Sequence, residues 1–134
     1  YIMWRRLLTY SSLLFSGMPK RKFRYMREKK NLKGLIDIHH IIPREFKKHP
    51  SIIFSKYDIE NGYNLMFLPT HKGSVKLNIH LDRPIHSNGH VEYNIYVKKL
   101  LNEMLNNNQI SEKDLCKLNL YLRQNMRHLN CTWN

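Results

Sequence analysis

Cysteine is scarce in this 134-residue chain, which holds only Cys116 and Cys131 with fourteen residues between them. Without a Cys-x-x-Cys pair, neither a disulfide framework nor a cysteine zinc cage can be built, and buried free thiols are the expected state. Long apolar runs are also missing. The stretch from Leu7 to Phe15 is broken by Thr9, Ser11 and Ser12 and reaches about half of the roughly 20 residues that cross a bilayer, so no transmembrane span is expected. Acidic residues are few: 10 Asp and Glu face 23 Lys and Arg, a net charge of +13. Apolar residues, at 42%, suffice for a core and exclude disorder from end to end. The length accommodates one compact domain. The first residue is Tyr1 rather than Met, which reads as a fragment or a processed product, with any upstream targeting segment outside the sequence. The expected protein is soluble, in the cytoplasm or nucleus rather than in a membrane.

The charge is unevenly spread. Residues 1–34 hold ten Lys and Arg against Glu28 alone, a net of +9, and the other hundred residues share +4. The run from Pro19 to Lys30, with Lys20, Arg21, Lys22, Arg24 and Arg27, repels itself when isolated and would condense on a polyanion with release of counterions. Phosphate backbones are the natural partner. A solvated basic face, or a membrane-surface or localisation patch, is the competing reading. Phe23 and Tyr25 within the run suit either stacking on bases or anchoring to a core.

Apolar positions at Ile2, Met3, Trp4, Leu7, Leu8, Leu14 and Phe15 predict a helix closed by Gly17-Met18-Pro19, after which the basic run forms an arm. From Gly34, Leu-Ile-Asp-Ile-His-His-Ile-Ile-Pro43 reads as a strand entering a turn. Arg44 to Tyr57 reads as a connection. Asn61-Gly62 signals a turn before a second strand, Tyr63 to Pro69. Residues 70–89 show neither period and read as a long loop. Tyr93, Tyr96, Val97, Leu100, Leu101, Met104 and Leu105 recur at three and four, predicting a helix from about His90 to Leu105. Ser111 with Asp114 caps a final helix carrying Leu115, Leu118, Leu122, Met126 and Leu129. The fold class is α+β.

Seven of the eight histidines fall between positions 39 and 90. His39 and His40 are adjacent at a strand end, so they project to opposite sides and can hold different tasks. His86 and His90 lie four apart near the entrance of the amphipathic helix, with Ser87, Asn88 and Gly89 as cap residues.

The order Ile38-His39-His40-Ile-Ile-Pro43, then Asn64-Leu-Met-Phe-Leu-Pro69, then His86-Ser-Asn-Gly-His90-Val-Glu-Tyr93-Asn94-Ile-Tyr-Val97 resembles the AHH branch of the HNH, or His-Me finger, nucleases. The resemblance spans roughly residues 35–105 and implies a ββα-metal core, a hairpin and a helix gripping one divalent metal, with flanking helices. Residues 1–34 are then an N-terminal helix and basic arm, 35–106 the nuclease core, and 107–134 a C-terminal helix packed on it. Ile38 stands where the family has Ala. Leu65 stands where the family has Gly, and Asn61-Gly62 competes for the alignment of the central Asn.

The resemblance implies a metal-dependent endonuclease with little sequence preference, cutting DNA rather than RNA because most of the superfamily does. His40 would be the general base, suited by an imidazole pKa close to neutral pH, and His39, His86 and His90 would be metal ligands, with His71 or His80 as replacements for His86. Asn64 would fix the base's tautomer, touch the metal or staple the hairpin. Imidazole-rich ligation favours Zn, Ni or Mn, although family members with few ligands use Mg. Arg44, Lys47 and Lys48 are placed to hold phosphate, and equally read as a solvated face. The alternative function is a nucleic-acid-binding or packaging module with a structural metal hairpin. Such a module has no need of the second imidazole, His40.

Overall fold

The computed structural model describes residues 18–77 and 91–128. The expected N-terminal helix over Ile2 to Phe15 lies outside them.

Strands β1 (Ile36–His40) and β2 (Leu65–Pro69) pair antiparallel, with Ile38 opposite Phe67, His39 opposite Met66 and His40 opposite Leu65. Every residue of β2 is buried because its two faces serve two cores. Leu65 and Phe67 join Phe23, Leu32, Leu35 and Ile36 on one side, with Ile38 packed against them. Met66 and Leu68 join Ile41, Ile42, Tyr93, Val97, Leu101, Leu115 and Leu122 on the other. The period of two along a strand decides which residue goes where.

Helix α1 (Lys20–Lys29) is the basic run, expected as an arm and found as a helix docked on the sheet. Its first turn carries no acid, a poor match to the positive end of the helix dipole, so its stability must come from packing. Phe23 is fully buried, its ring 5.2 Å from that of Phe67. Asn31, at φ 56°, ends the helix in a left-handed residue, and Leu32 donates back to Arg27 O at 2.9 Å, a closure that drops Leu32 into the same core. The remaining anchor is Arg27, whose guanidinium lies 3.5 Å from Ile36 O and 3.9 Å from Asp37.

The segment expected as a plain connection contains a 3-10 turn, Arg44–Lys48, and helix α2 (Pro50–Ser55). His49 starts α2: Nδ1 accepts from Ser51 N at 3.1 Å, which leaves Nε2–H to donate to Asn102 at 2.7 Å. With Pro50 at the first helical position, this is a strong start signal on a helix too short to display a period. A 3-10 turn, Gly62–Asn64, capped by Asn61, leads into β2.

Helix α3 (His71–Lys76) occupies part of the expected loop, capped by Thr70, whose Oγ1 accepts from Gly73 N at 2.9 Å and donates to Gly34 O at 2.8 Å. A Cβ at Gly73 would overlap the Leu35 carbonyl oxygen, which is backbone and cannot move aside. Gly73→Ala is therefore expected to cost about 2 kcal/mol or more in urea unfolding. A loss under about 0.5 kcal/mol would show that α3 shifts freely.

Helix α4 (Val91–Asn106) buries Tyr93, Val97 and Leu101, the stripe expected from its spacing. Helix α5 (Glu112–His128) starts at the expected box: Ser111 N donates to Asp114 Oδ2 at 3.2 Å, and Asp114 N to Ser111 Oγ at 3.1 Å. Cys116, expected as a buried thiol, is exposed, because the buried stripe of Leu115, Leu118 and Leu122 turns it outward on a 100° repeat. Cys131 lies outside the described residues. Among the described residues no helix is long and apolar enough to cross a membrane.

Candidate active site

The site forms where β1 ends. Ile41 N donates to Asn64 O at 2.8 Å, and the next residue, Ile42, is bound through both its backbone groups by the Asn64 side chain. Asn64 Oδ1 accepts from Ile42 N at 2.9 Å and Tyr57 OH at 2.7 Å, and its Nδ2 donates to Ile42 O at 3.0 Å and Ile59 O at 2.8 Å. Its side chain is fully buried with both ends engaged, so it cannot reach a substrate. Of the tasks considered for Asn64, this geometry is that of a staple.

The Asn64 cluster extends to α5. Asn119 donates to Tyr57 OH at 2.6 Å and Tyr63 O at 3.0 Å, and Arg123 donates to Tyr63 O at 2.8 Å and Leu65 O at 3.2 Å. Leu65 is the residue opposite His40. Sequence reasoning missed Asn119 and Arg123, because polar residues on the edge of an apolar stripe look like ordinary surface positions.

The two adjacent histidines part as expected. His39 is buried and faces α4, its ring edge-on to Tyr93 at 5.2 Å. The Tyr93 hydroxyl, which burial pushes well above the ordinary tyrosine pKa, donates to Ile41 O and pins α4 to the hairpin. His40 sits across the strand, its side chain 11% exposed, with Nε2 3.3 Å from Glu60 Oε2. Glu60 Oε1 in turn lies 2.9 Å from Arg44 Nε as an ion pair.

Burial lowers the His40 pKa, outweighing the Glu60 hydrogen bond and charge that pull it upward, which favours the neutral imidazole. Burial would raise Glu60, but the hydrogen bond from His40 and the charges of His40, Arg44 and Lys20 prevail, and the carboxyl falls below its ordinary value. Lys20 is itself lowered by burial and by the charges of Arg24 and Arg44. Helix α1 therefore brings positive charge to the His40 side of the hairpin. Sequence reasoning missed Glu60, for which the sequence signal is slight: an acidic side chain directly before the Asn61-Gly62 turn.

Arg21, Lys22, Arg24, Arg44, Lys47 and Lys48 are exposed and Lys20 is half-buried. Arg27 differs, because its guanidinium turns inward to β1. Tyr25 is exposed with Lys29 over its ring, whereas Phe23 belongs to the core. His86, His90 and His80 lie outside the described residues, and His71 is exposed at the start of α3. Among the described residues no three His, Cys, Asp or Glu side chains form an ion site.

A hairpin closed by a buried Asn, two histidines on opposite sides of its end and a helix packed on one face define a ββα nuclease core. A model of the AHH family, a nuclease family of the HNH/ENDO VII superfamily with conserved AHH, matches residues 26–124. The chain belongs to this family. No curated protein and no solved structure matches it. It is accordingly a nuclease, with nucleic acid as its substrate.

Proposed function

We propose that the chain is a metal-dependent endonuclease that hydrolyses phosphodiester bonds, of DNA in preference to RNA, with His40 as general base. The observation that carries this reading is the division of labour at the end of β1. His40 lies on the face that α1 lines with positive charge, and His39 lies on the face covered by α4. A neutral imidazole beside a basic surface suits removal of a proton from water next to a bound phosphate. Arg44, Lys47 and Lys48 would hold the scissile phosphate or its neighbours by charge, and the basic side chains of α1 phosphates further along the backbone.

Nucleases of this superfamily generally use a divalent ion. Of the residues assigned to hold one, His39 offers a buried imidazole against Tyr93 in the first turn of α4, which begins at Val91, directly after His90 in the chain. His39 and His90, with His86, would hold Mg, Mn, Zn or Ni, and when bound the ion supplies charge neutralisation on the phosphoryl and departing oxygens.

The test is incubation of supercoiled DNA, linear DNA and RNA with the protein, with each divalent ion or with chelator. Cleavage dependent on added ion, faster on DNA, is expected. Intact substrates with every ion at high protein concentration would sink the reading.

Helix α1 makes a separate prediction. Deleting it would strip Phe23 and Met26 from a core, so charge removal is the cleaner probe. The triple substitution Arg21→Gln, Lys22→Gln, Arg24→Gln is expected to weaken binding to all sequences alike. It should reduce the slope of log affinity against log salt by about 1–2, with the cleavage rate at saturating DNA near that of the parent. An unchanged slope would take these three side chains out of the DNA interface.

A further inference from the structure

Glu60 has no task in the reading above, yet it is the side chain that hydrogen-bonds the His40 ring. Its backbone is fixed from three sides. Glu60 N donates to Asp58 Oδ1 at 3.0 Å, the preceding residue Ile59 is buried with its carbonyl bound by Asn64 at 2.8 Å, and the following Asn61 caps the turn into β2. The carboxylate then lies between two groups: Oε1 is ion-paired with Arg44, 2.9 Å from its Nε, and Oε2 faces His40 Nε2 at 3.3 Å. Arg44 thus pairs with the carboxylate by charge, while the carboxylate is hydrogen-bonded to the imidazole.

We propose that Glu60 is the positioning residue of the active site, holding the His40 ring with its proton on Nε2 and so presenting Nδ1 as the atom that takes the proton from water. This rests on the assignment of His40 as general base. An ionised carboxylate can only accept a hydrogen bond, so Nε2 must be the donor, and a neutral imidazole then has its lone pair on Nδ1. In the step itself the water O–H bond breaks. Its proton passes to Nδ1 and its electron pair stays on the oxygen that attacks phosphorus. The imidazolium so formed keeps Nε2–H directed at Glu60, whose negative charge stabilises it. Glu60 touches no reacting atom. Its effect passes through His40.

The same geometry has an opposite interpretation that experiment separates from this one: Glu60 could occupy Arg44 in place of a substrate phosphate and thereby compete with DNA. Positioning predicts that Glu60→Ala lowers kcat about ten- to a hundredfold, less than the ~10²–10⁴ contributed by a general base itself, with KM for DNA changed less than about threefold. Glu60→Gln, which keeps the size of the side chain without its charge, should fall between Glu60→Ala and the parent.

Nitrogen shifts of 15N-labelled histidine, read without substrate above the His40 pKa, should show the proton on Nε2 in the parent and a mixture of tautomers in Glu60→Ala. This readout does not depend on cleavage, and loss of fold would appear in the same spectrum. A kcat equal to or above the parent's, with lower KM, overturns the proposal in favour of competition with DNA. An unchanged tautomer in Glu60→Ala overturns it as well. A parent that cleaves nothing overturns the underlying nuclease reading, whereas a parent that cleaves and loses activity in His40→Ala but not in Glu60→Ala overturns the role of Glu60 alone.

Discussion

His40→Ala is expected to lower the cleavage rate at least about a hundredfold, a few kcal/mol of transition-state stabilisation, while the protein remains folded and still binds DNA. The separation of effects follows from position. His40 belongs to neither apolar cluster of the fold, and its contact with Glu60 lies at the edge of the site, so its removal opens no cavity in a core. The side chain lies across the strand from His39, so the content of bound divalent ion should be close to that of the parent. Single-turnover cleavage, filter binding and ion content measured on one preparation check all three expectations. A rate within about threefold of the parent would remove His40 from the reaction, and loss of bound ion along with activity would make it a ligand.

Asn64→Ala is expected to produce the largest loss of stability, about 3 kcal/mol or more in urea unfolding. The truncation leaves Ile42 N, Ile42 O and Ile59 O without the amide that binds them, in a place where water cannot enter without disturbing the core. Tyr57 OH retains Asn119, which limits the damage. Because the staple also sets where β1 ends, the ends of the strands that carry His40 and Leu65 should lose order first, and cleavage at low temperature should fall with stability. Asn64→Asp is expected to be no better. One carboxylate oxygen would replace the amide nitrogen opposite two carbonyls, an acceptor facing acceptors. A destabilisation below about 1 kcal/mol would deny Asn64 its role as the staple of the hairpin.

Much of the frame was legible along the chain because its signals are local. Pro43 and Pro69 bound two short β-rich runs, Asn61-Gly62 marks the turn before the second, and Ser111 with Asp114 opens α5 as a reciprocal cap. The apolar spacing from Tyr93 to Leu105 specified α4 through its periodicity alone. Helices α2 and α3, of six residues each, were missed for the converse reason: a helix under two turns long has no period to read, and its evidence is the cap, here His49 and Thr70.

The sequence by itself determined the pair His39-His40 at a strand end, and hence that the two imidazoles face opposite ways, because side chains alternate along any strand. It also determined the excess of positive charge before residue 34. Only the tertiary structure decided that the Lys20–Lys29 part of this charge lies on a helix docked beside His40. The docking depends on one apolar side chain, Phe23, meeting Phe67 across the sheet, a contact between residues far apart in the chain that no local pattern encodes. In the same way, Asn64 could be read as a ligand, a tautomer guide or a staple until Ile42, Tyr57 and Ile59 closed around its amide. Glu60 could not be singled out until folding brought it to His40 and Arg44. Alternation and capping act over a few residues and leave their mark in the sequence. Charge pairing and buried hydrogen bonding act through space, between residues whose separation along the chain is set by the fold.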